Sequence, residues 1–478
     1  MAKNPRCARL QEVLKTIRES VREAEVIEHE EPKPTPFFSE WPSQIDMWPL
    51  EALMLEAGWR PKPPTVRAYS ARAIQEIVEI AGKHKVCIVV RGGGSNVVGS
   101  SYPIDCCLIL DVRGLDRILE FRPEDRLVYV EAGIRIDRLE EWLNKKGYTL
   151  SYEPQSIKLA TVGGSISMLG TGAYSPGRGN IEDIVAWVDV VLPNAKLVRL
   201  GVSSPRRQLG PGVLALILGA EGSLGIIVSA GLRIRELPEI VRGLAYSVPS
   251  FEKAVEAAKR LVLWCQPPVL RVIDSSEARL FYGIDSSILI MRIEGDDERY
   301  VDSIEKYIDR IVGGLGGKKL EGVYEKWWEH RYKYDEYLGM LWEAGLWMDT
   351  IDTSSYWSRL ARLNKRLLEE LSRVKGVSMV FSHAGHFYLN GGSLYHTVVM
   401  ERDMGVYWRV WRRTMSVVVE EGATITHQHG FGLLRSHWVL EALGDNYKIY
   451  CAIKSLLDPN NLLNPYGLSS ACRRLKGN

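Results

Sequence analysis

Residues 91 to 99, Arg-Gly-Gly-Gly-Ser-Asn-Val-Val-Gly, directly follow the apolar run Val86 to Val90, and no other stretch narrows the fold as much. A short strand that empties into three glycines lets the chain turn sharply with no Cβ in the way. The turn also presents a row of bare backbone N–H groups, the arrangement that holds a phosphate or pyrophosphate. Two common phosphate loops do not fit. A P-loop ends in Gly-Lys-Ser/Thr, whereas Gly94 is followed by Ser95 and Asn96. The dinucleotide fingerprint needs a glycine three residues after Gly94, where Val97 stands. Taken alone, the segment reads equally well as a plain glycine-rich turn.

Two further glycine clusters change that balance. Ala160-Thr-Val-Gly-Gly-Ser-Ile166 is followed by Gly170, Gly172 and Gly179-Asn-Ile-Glu-Asp183, which runs into Ile184 to Leu192, a strand by its apolar pattern. Gly219-Ala-Glu-Gly-Ser-Leu-Gly-Ile-Ile227 follows the apolar run Val213 to Leu218, which also reads as a strand. In this order the three clusters resemble the PCMH-type FAD-binding domain of the vanillyl-alcohol oxidase superfamily, over residues 62 to 237.

The resemblance implies an α+β, two-domain PCMH-type FAD-binding fold with a C-terminal α+β cap domain of the FAD-linked oxidase kind. It places an N-terminal helix and linker at 1–60, the FAD domain at 61–238, the cap at 239–440, and a returning segment at 441–478. It further implies that Arg91, Gly92, Gly93, Gly94, Ser95, Asn96, Pro154, Thr161, Gly163, Gly164, Thr171, Ile181, Glu221, Gly222 and Ile227 bind FAD. Relatives that tether the flavin use a histidine in the first loop. Ser95 and Asn96 stand there, and no histidine lies between residues 85 and 329, so non-covalent FAD is expected.

At 478 residues the chain has room for two domains. A hydrophobic fraction of 46% and a charged fraction of 25% describe an ordinary globular chain, and a net charge of +2 gives no electrostatic case for nucleic acid. No apolar run approaches the roughly 18 residues of a transmembrane helix. The first residues lack the apolar core of a secretory signal, and Glu12 and Glu19 argue against a transit peptide. Seven cysteines with no C-x-x-C pair, Cys106 and Cys107 among them, read as buried thiols in a reducing cytoplasm. A small-molecule substrate and an unidentified electron acceptor are the expected partners, with a homodimer left open.

Leu10, Val13, Leu14, Ile17, Val21 and Ala24 recur at helical spacing, which predicts an amphipathic helix over 8–28 packed on the body or on a subunit. Glu30 to Pro36 reads as a linker, and helices are expected at 71–84 and 137–146. Beyond Pro238 the glycine-rich character ends. Helices at 251–265, 297–311 and 447–457, with a strand at 270–273, fit an α+β second domain.

Six of the nine histidines fall between residues 330 and 429. They lie in His383-Ala-Gly-His-Phe-Tyr388 with Gly391-Gly-Ser-Leu-Tyr-His396, in His427-Gln-His-Gly-Phe-Gly-Leu-Leu-Arg435, and beside Trp327-Trp-Glu-His-Arg-Tyr332 with Asp349-Thr-Ile-Asp-Thr353. Such clustering points to proton chemistry more than to scattered structural histidines. These stretches resemble the alkyldihydroxyacetonephosphate synthase branch of the superfamily, which uses flavin without net redox change. That likeness makes Tyr395 the acid/base, with His427 and His429 matching the outer two of three histidines. Two departures weaken it. Gln428 replaces the middle histidine and cannot exchange protons, and Gly339 replaces an arginine suited to a substrate phosphate.

The cap also resembles FAD-dependent 2-hydroxy-acid dehydrogenases, some of which hold a divalent metal on two histidines and a glutamate. His383 and His396 are the weak metal candidates, but Gln428 stands in the glutamate's place and no metal is expected. Alternation along a strand puts Tyr395 and His396 on opposite faces, which favours a proton-handling site over a metal site. The favoured expectation is an oxidoreductase acting on a 2-hydroxy-acid-like substrate. His429 or Tyr395 takes the hydroxyl proton, and Arg331 or Arg435 holds the carboxylate. The synthase reaction is the alternative, and a flavin-binding subunit without chemistry of its own is less favoured.

Overall fold

A computed structural model describes residues 5–27, 49–58, 64–102, 106–205, 210–332 and 335–472. The expected linker at 30–36 lies outside them. Ser70 starts the helix Ala71–His84 by accepting a hydrogen bond from Ala73 N, and Lys85 ends it in the left-handed conformation. Ala73, Ile74, Ile77, Val78 and Ala81 form its buried stripe. That stripe covers a four-stranded sheet in the order Ala24–Ile27, Thr65–Ala68, Leu108–Asp111, Ile88–Arg91, whose last three strands run parallel. Parallel pairing brings Arg91 opposite Asp111 at the sheet's end, so the glycine loop leaves from a strand fixed on its partner.

A second sheet is antiparallel throughout, in the order Ile118–Arg122, Leu127–Glu131, Ile226–Arg233, Val185–Val191, Leu197–Gly201. The two sheets and their helices form the glycine-rich half. The remaining half is built on a seven-stranded antiparallel sheet, ordered Lys318–Leu320, Ile240–Val248, Ser287–Gly295, Val269–Ile273, Val377–Tyr388, Gly391–Glu401, Leu346–Tyr356. Alternation divides its faces. Leu270, Val272, Leu289 and Met291 pack with the helices Phe251–Trp264, Glu298–Gly313 and Trp357–Ser372. Val269, Ile273, Ile288 and Ile290 pack instead with Tyr174 and Trp327, toward the glycine-rich half.

The chain end returns to that first half. Ile88 N donates to Leu462 O and Asn464 N to Ile88 O, so residues 462–464 extend the edge of the parallel sheet. Lys454, almost fully buried, ties the approach by donating to Asp458, Ser223 O and Leu463 O.

Three expectations need correction. The N-terminal helix spans Pro5–Ser20 and gives way to the strand Ala24–Ile27, because pairing with Thr65–Ala68 captures the last apolar residues. It does pack on the body, with Leu10, Val13, Leu14 and Ile17 buried in the core of the parallel sheet. The apolar run at 213–218 is a short 3-10 turn, Val213–Leu216, not a strand. Six of the seven cysteines are disulfide-bonded, as Cys7–Cys106, Cys87–Cys107 and Cys451–Cys472, and Cys265 alone is free. The pairs join residues brought close by the fold, so no sequence spacing announces them, and the thiol argument for a reducing compartment falls away.

Candidate active site

The first glycine loop closes against the second. A Cβ at Gly92 would lie 2.4 Å from Thr161 Oγ1, and one at Gly93 only 1.7 Å from Leu159 O, so neither position admits a side chain. Gly94 adopts φ +69°, open to glycine with little strain. Thr161 caps the following turn by accepting from Gly164 N at 3.3 Å, and Gly163 packs too closely on Ala132 for any Cβ. Two side-chain-free bends in contact fit the pyrophosphate of a dinucleotide, which needs amides rather than side chains at close approach. Pro154, Ile181, Gly222 and Ile227 lie along the same half, with Ile181 and Ile227 buried in its core. Asn96 and Thr171 face the other way. Asn96 Nδ2 donates to His429 O at 3.1 Å, and Thr171 N donates to Gln428 Oε1 at 3.1 Å.

Across from these loops, strand register builds a row of side chains. Ile273 pairs with His383, His383 with Tyr395, and Tyr395 with Asp352, so four neighbouring strands present these residues on one face. The His383 ring stacks on Tyr395 at 5.1 Å, and its Nδ1 lies 2.9 Å from Glu277 Oε2. One extra residue between Gly385 and Tyr388 makes a β-bulge at His386, which takes φ +46°. Without it His386 would point into the helical layer. The bulge turns both His386 and Tyr388 to the site face. His386 Nδ1 then reaches Ser175 Oγ at 2.8 Å, and its ring stacks on His427 at 5.1 Å.

His427 sits between two phenols. Its Nδ1 is 3.2 Å from Tyr395 Oη and its Nε2 is 2.7 Å from Tyr388 Oη. Burial pushes the imidazole down to about 4, against the opposing pull of Asp352, so it is neutral at pH 7. A neutral imidazole donates at one nitrogen and accepts at the other, which makes Tyr395–His427–Tyr388 a continuous proton path. Burial, and then the charge of Asp352, push the Tyr395 phenol well above its ordinary value, so it carries its proton.

Asp352 and Glu221 hold the histidine loop from opposite sides. Asp352 Oδ2 accepts from His427 N at 2.6 Å, Gln428 N at 2.8 Å and Thr426 Oγ1 at 3.2 Å. Its Oδ1 meets Arg435 and lies 2.9 Å from His429 Nδ1, a contact angled short of a well-directed hydrogen bond. Glu221, from the glycine-rich half, accepts from Phe431 N at 2.7 Å, Gly432 N at 3.0 Å and Ser100 Oγ at 3.1 Å.

The structure thus brings together Tyr395, His427 and His429, with His383, His386, Tyr388 and Asp352, none of which carried an assigned proton role in the sequence. The bulge and the long-range contacts of Asp352 leave no local signature. Four expected residues are placed otherwise. Arg435 is fully buried and clamps Asp352, Thr426 Oγ1 and Gly430 O, so it cannot hold a substrate carboxylate. Arg331 pairs with Glu153 at 2.9 Å and lies over Trp328. Glu221 gives its carboxylate to the loop, its N–H to Ser167 O and its carbonyl to Asn464. His396 faces the helical layer, opposite Ser382 and away from His383. Among the described residues no three His, Cys, Asp or Glu side chains are placed to hold a metal ion.

Arg271 emerges in place of the two committed arginines. It shares the strand and face of Ile273, meets Glu277 only at 3.6 Å, and is 22% exposed, so a small anion can reach it. Its charge is among the causes that lower His383 and His386, after their burial, which places the guanidinium near the histidine cluster.

A glycine cradle opposed to a histidine-bearing sheet suits a flavoenzyme, and comparison with known proteins points to the same class. A family described as FAD binding domain matches residues 64–201, and one described as FAD linked oxidases, C-terminal domain, matches residues 237–468. The chain is 27% identical to the alkyldihydroxyacetonephosphate synthase of Caenorhabditis elegans, over 86% of this chain and 77% of that protein. It is 23% identical to the D-lactate dehydrogenase of Archaeoglobus fulgidus, over 84% and 90%, and 25% identical to the glycolate oxidase subunit GlcD of Bacillus subtilis, over 82% and 86%. Among solved structures, an alkyldihydroxyacetonephosphate synthase superposes with a TM-score of 0.71 at 24% identity, covering 85% of this chain and 77% of that one. Substrate-bound p-cresol methylhydroxylase superposes with a TM-score of 0.77 at 17% identity, covering 97% of each chain, and shares the fold. The chain thus carries an FAD binding domain and an FAD linked oxidase C-terminal domain, and FAD is its cofactor.

Proposed function

We propose that the protein is an FAD-dependent dehydrogenase of a small 2-hydroxy acid, with FAD bound non-covalently by the residues of the two glycine bends. The observation that carries this reading is the state of three arginines. Arg331 pairs with Glu153 at 2.9 Å and Arg435 clamps Asp352, whereas Arg271, near the histidine cluster, meets Glu277 only at 3.6 Å and has an Nε without a hydrogen-bond partner, which suits it to a substrate anion. A single guanidinium suits a carboxylate monoanion better than a phosphate dianion, which ordinarily draws several charged donors. Bound flavin supplies the two-electron acceptor: the carbinol C–H leaves as hydride, the O–H as a proton, and the hydroxy acid becomes a 2-oxo acid. In this reading His429 takes that proton, and the Tyr395–His427–Tyr388 chain passes one onward.

Flavin bleaching tests this. Anaerobic protein mixed with D-lactate, glycolate and longer 2-hydroxy acids should lose its yellow absorbance with at least one of them. Persistent colour with all of them, together with exchange of acyl-dihydroxyacetone phosphate with a long-chain alcohol, would favour the second reading. That synthase reading draws on the likeness to the synthases over most of this chain and on Tyr395 as acid/base.

A further inference from the structure

We propose that Asp352 is a positioning residue, whose carboxylate fixes the histidine loop and sets the His429 ring so that Nε2 is the atom that takes the substrate proton. The inference rests on the dehydrogenase reading and adds a residue to it.

Asp352 is completely buried on the sheet's last strand, directly across from Tyr395. The loop backbone at His427 and Gln428 and the Thr426 hydroxyl converge on one carboxylate oxygen, and the His429 ring and Arg435 on the other. Arg435 returns to Gly430 O at 2.9 Å and to Thr426 Oγ1 at 3.1 Å. One carboxylate–guanidinium pair thereby pins both ends of segment 426–430. A carboxylate beside His429 Nδ1 favours the tautomer with the proton on Nδ1, which leaves the lone pair on Nε2. The groups facing the ring are Asp352, Tyr395 at 6.2 Å between ring centres, His427 and, more remotely, Asp349. A neutral amide at position 352 would lose the tautomer preference and present an NH2 group to N–H donors.

FAD-loaded Asp352→Asn and Asp352→Glu test the assignment. Asp352→Asn should lower the limiting rate of flavin bleaching at least about 100-fold with little change in half-saturating substrate. Its rate–pH profile should also shift, because the charge that supports protons on His427 and Tyr395 is gone. Hydrogen exchange at amides 426–430 should rise, while exchange at 91–99 stays as in the parent. Asp352→Glu should recover the slow exchange and part of the rate. Unchanged exchange, or an Asp352→Asn profile superimposable on the parent's, would overturn the proposal. If Asp352→Asn does not fold, Asp352→Glu decides. A displaced carboxylate should slow bleaching at least about tenfold at unchanged half-saturation, and parental rates would overturn the role. Failure of the dehydrogenase reading is separable, since it shows as a parent protein that no hydroxy acid bleaches, while exchange still reports on the loop.

Discussion

The two carboxylates that grip the histidine loop sit in similar burial and behave oppositely. Asp352 has Arg435 against it, and that charge and His429 hold it well below the usual carboxylate range despite burial. Glu221 accepts from two amides and a hydroxyl, and burial pushes it up in spite of them. Here two amides and a hydroxyl do not offset the burial of Glu221 as the adjacent guanidinium offsets that of Asp352. The difference puts fixed charge beside the loop histidines.

Breaking the Asp352 side should have the largest effect. Asp352→Ala strands a buried guanidinium, and a stability loss of about 3–5 kcal/mol is expected in urea unfolding of the FAD-loaded protein. Tyr395→Phe leaves the packing intact and removes the phenolic proton, so bleaching should slow by about 10²–10⁴-fold, whereas a near-parental rate would remove Tyr395 from the chemistry. Arg271→Leu should raise half-saturating hydroxy acid by at least about tenfold, with a smaller change in limiting rate. Glu221→Gln should be the mildest, at about 1 kcal/mol in the same unfolding assay, because the carboxamide keeps the shape and turns its NH2 toward only one of the two backbone donors.

Acid separates the two sides without mutation. Asp352 has a depressed folded pKa, so its contribution is complete above the unfolded value and disappears as pH falls through the folded one. His427 behaves alike: its stabilising neutral form is complete above the ordinary imidazole value of 6.5 and is lost as pH falls toward about 4. Glu221 has the opposite sign, and its strain is relieved as it protonates. If His427 is the group that must be neutral, the acid limb of the bleaching rate should fall near pH 4. A limb at its unperturbed value would assign that duty elsewhere.

The glycine-rich half was the more legible in sequence, because its signals are local. Gly92 and Gly93 are small where the structure leaves no room, and Ser70 stands where the helix Ala71–His84 needs a cap. In the cap, Tyr395 and the paired histidines were legible as residue types, and strand alternation correctly separated Tyr395 from His396. Their partners were not. His386 depends on a bulge, and Asp352 depends on a loop some 75 residues away in sequence. Arg331 and Arg435 looked available only because Glu153 and Asp352, which neutralise them, are distant in the chain. The same limit hid the disulfides and the end of the first helix, which tertiary pairing decides.

The disulfides fall unevenly. All three lie in the flavin-binding half or the chain end that returns to it, closing sequence separations of 99, 20 and 21 residues, while the half built on the seven-stranded sheet holds only the free Cys265. Cross-links of that span restrict the denatured chain and raise stability by about 3–5 kcal/mol each. Heat or urea should therefore dismantle the half built on the seven-stranded sheet before the body that keeps the coenzyme. A partly denatured sample would stay yellow after it has ceased to turn over, and a thiol reductant should erase that interval.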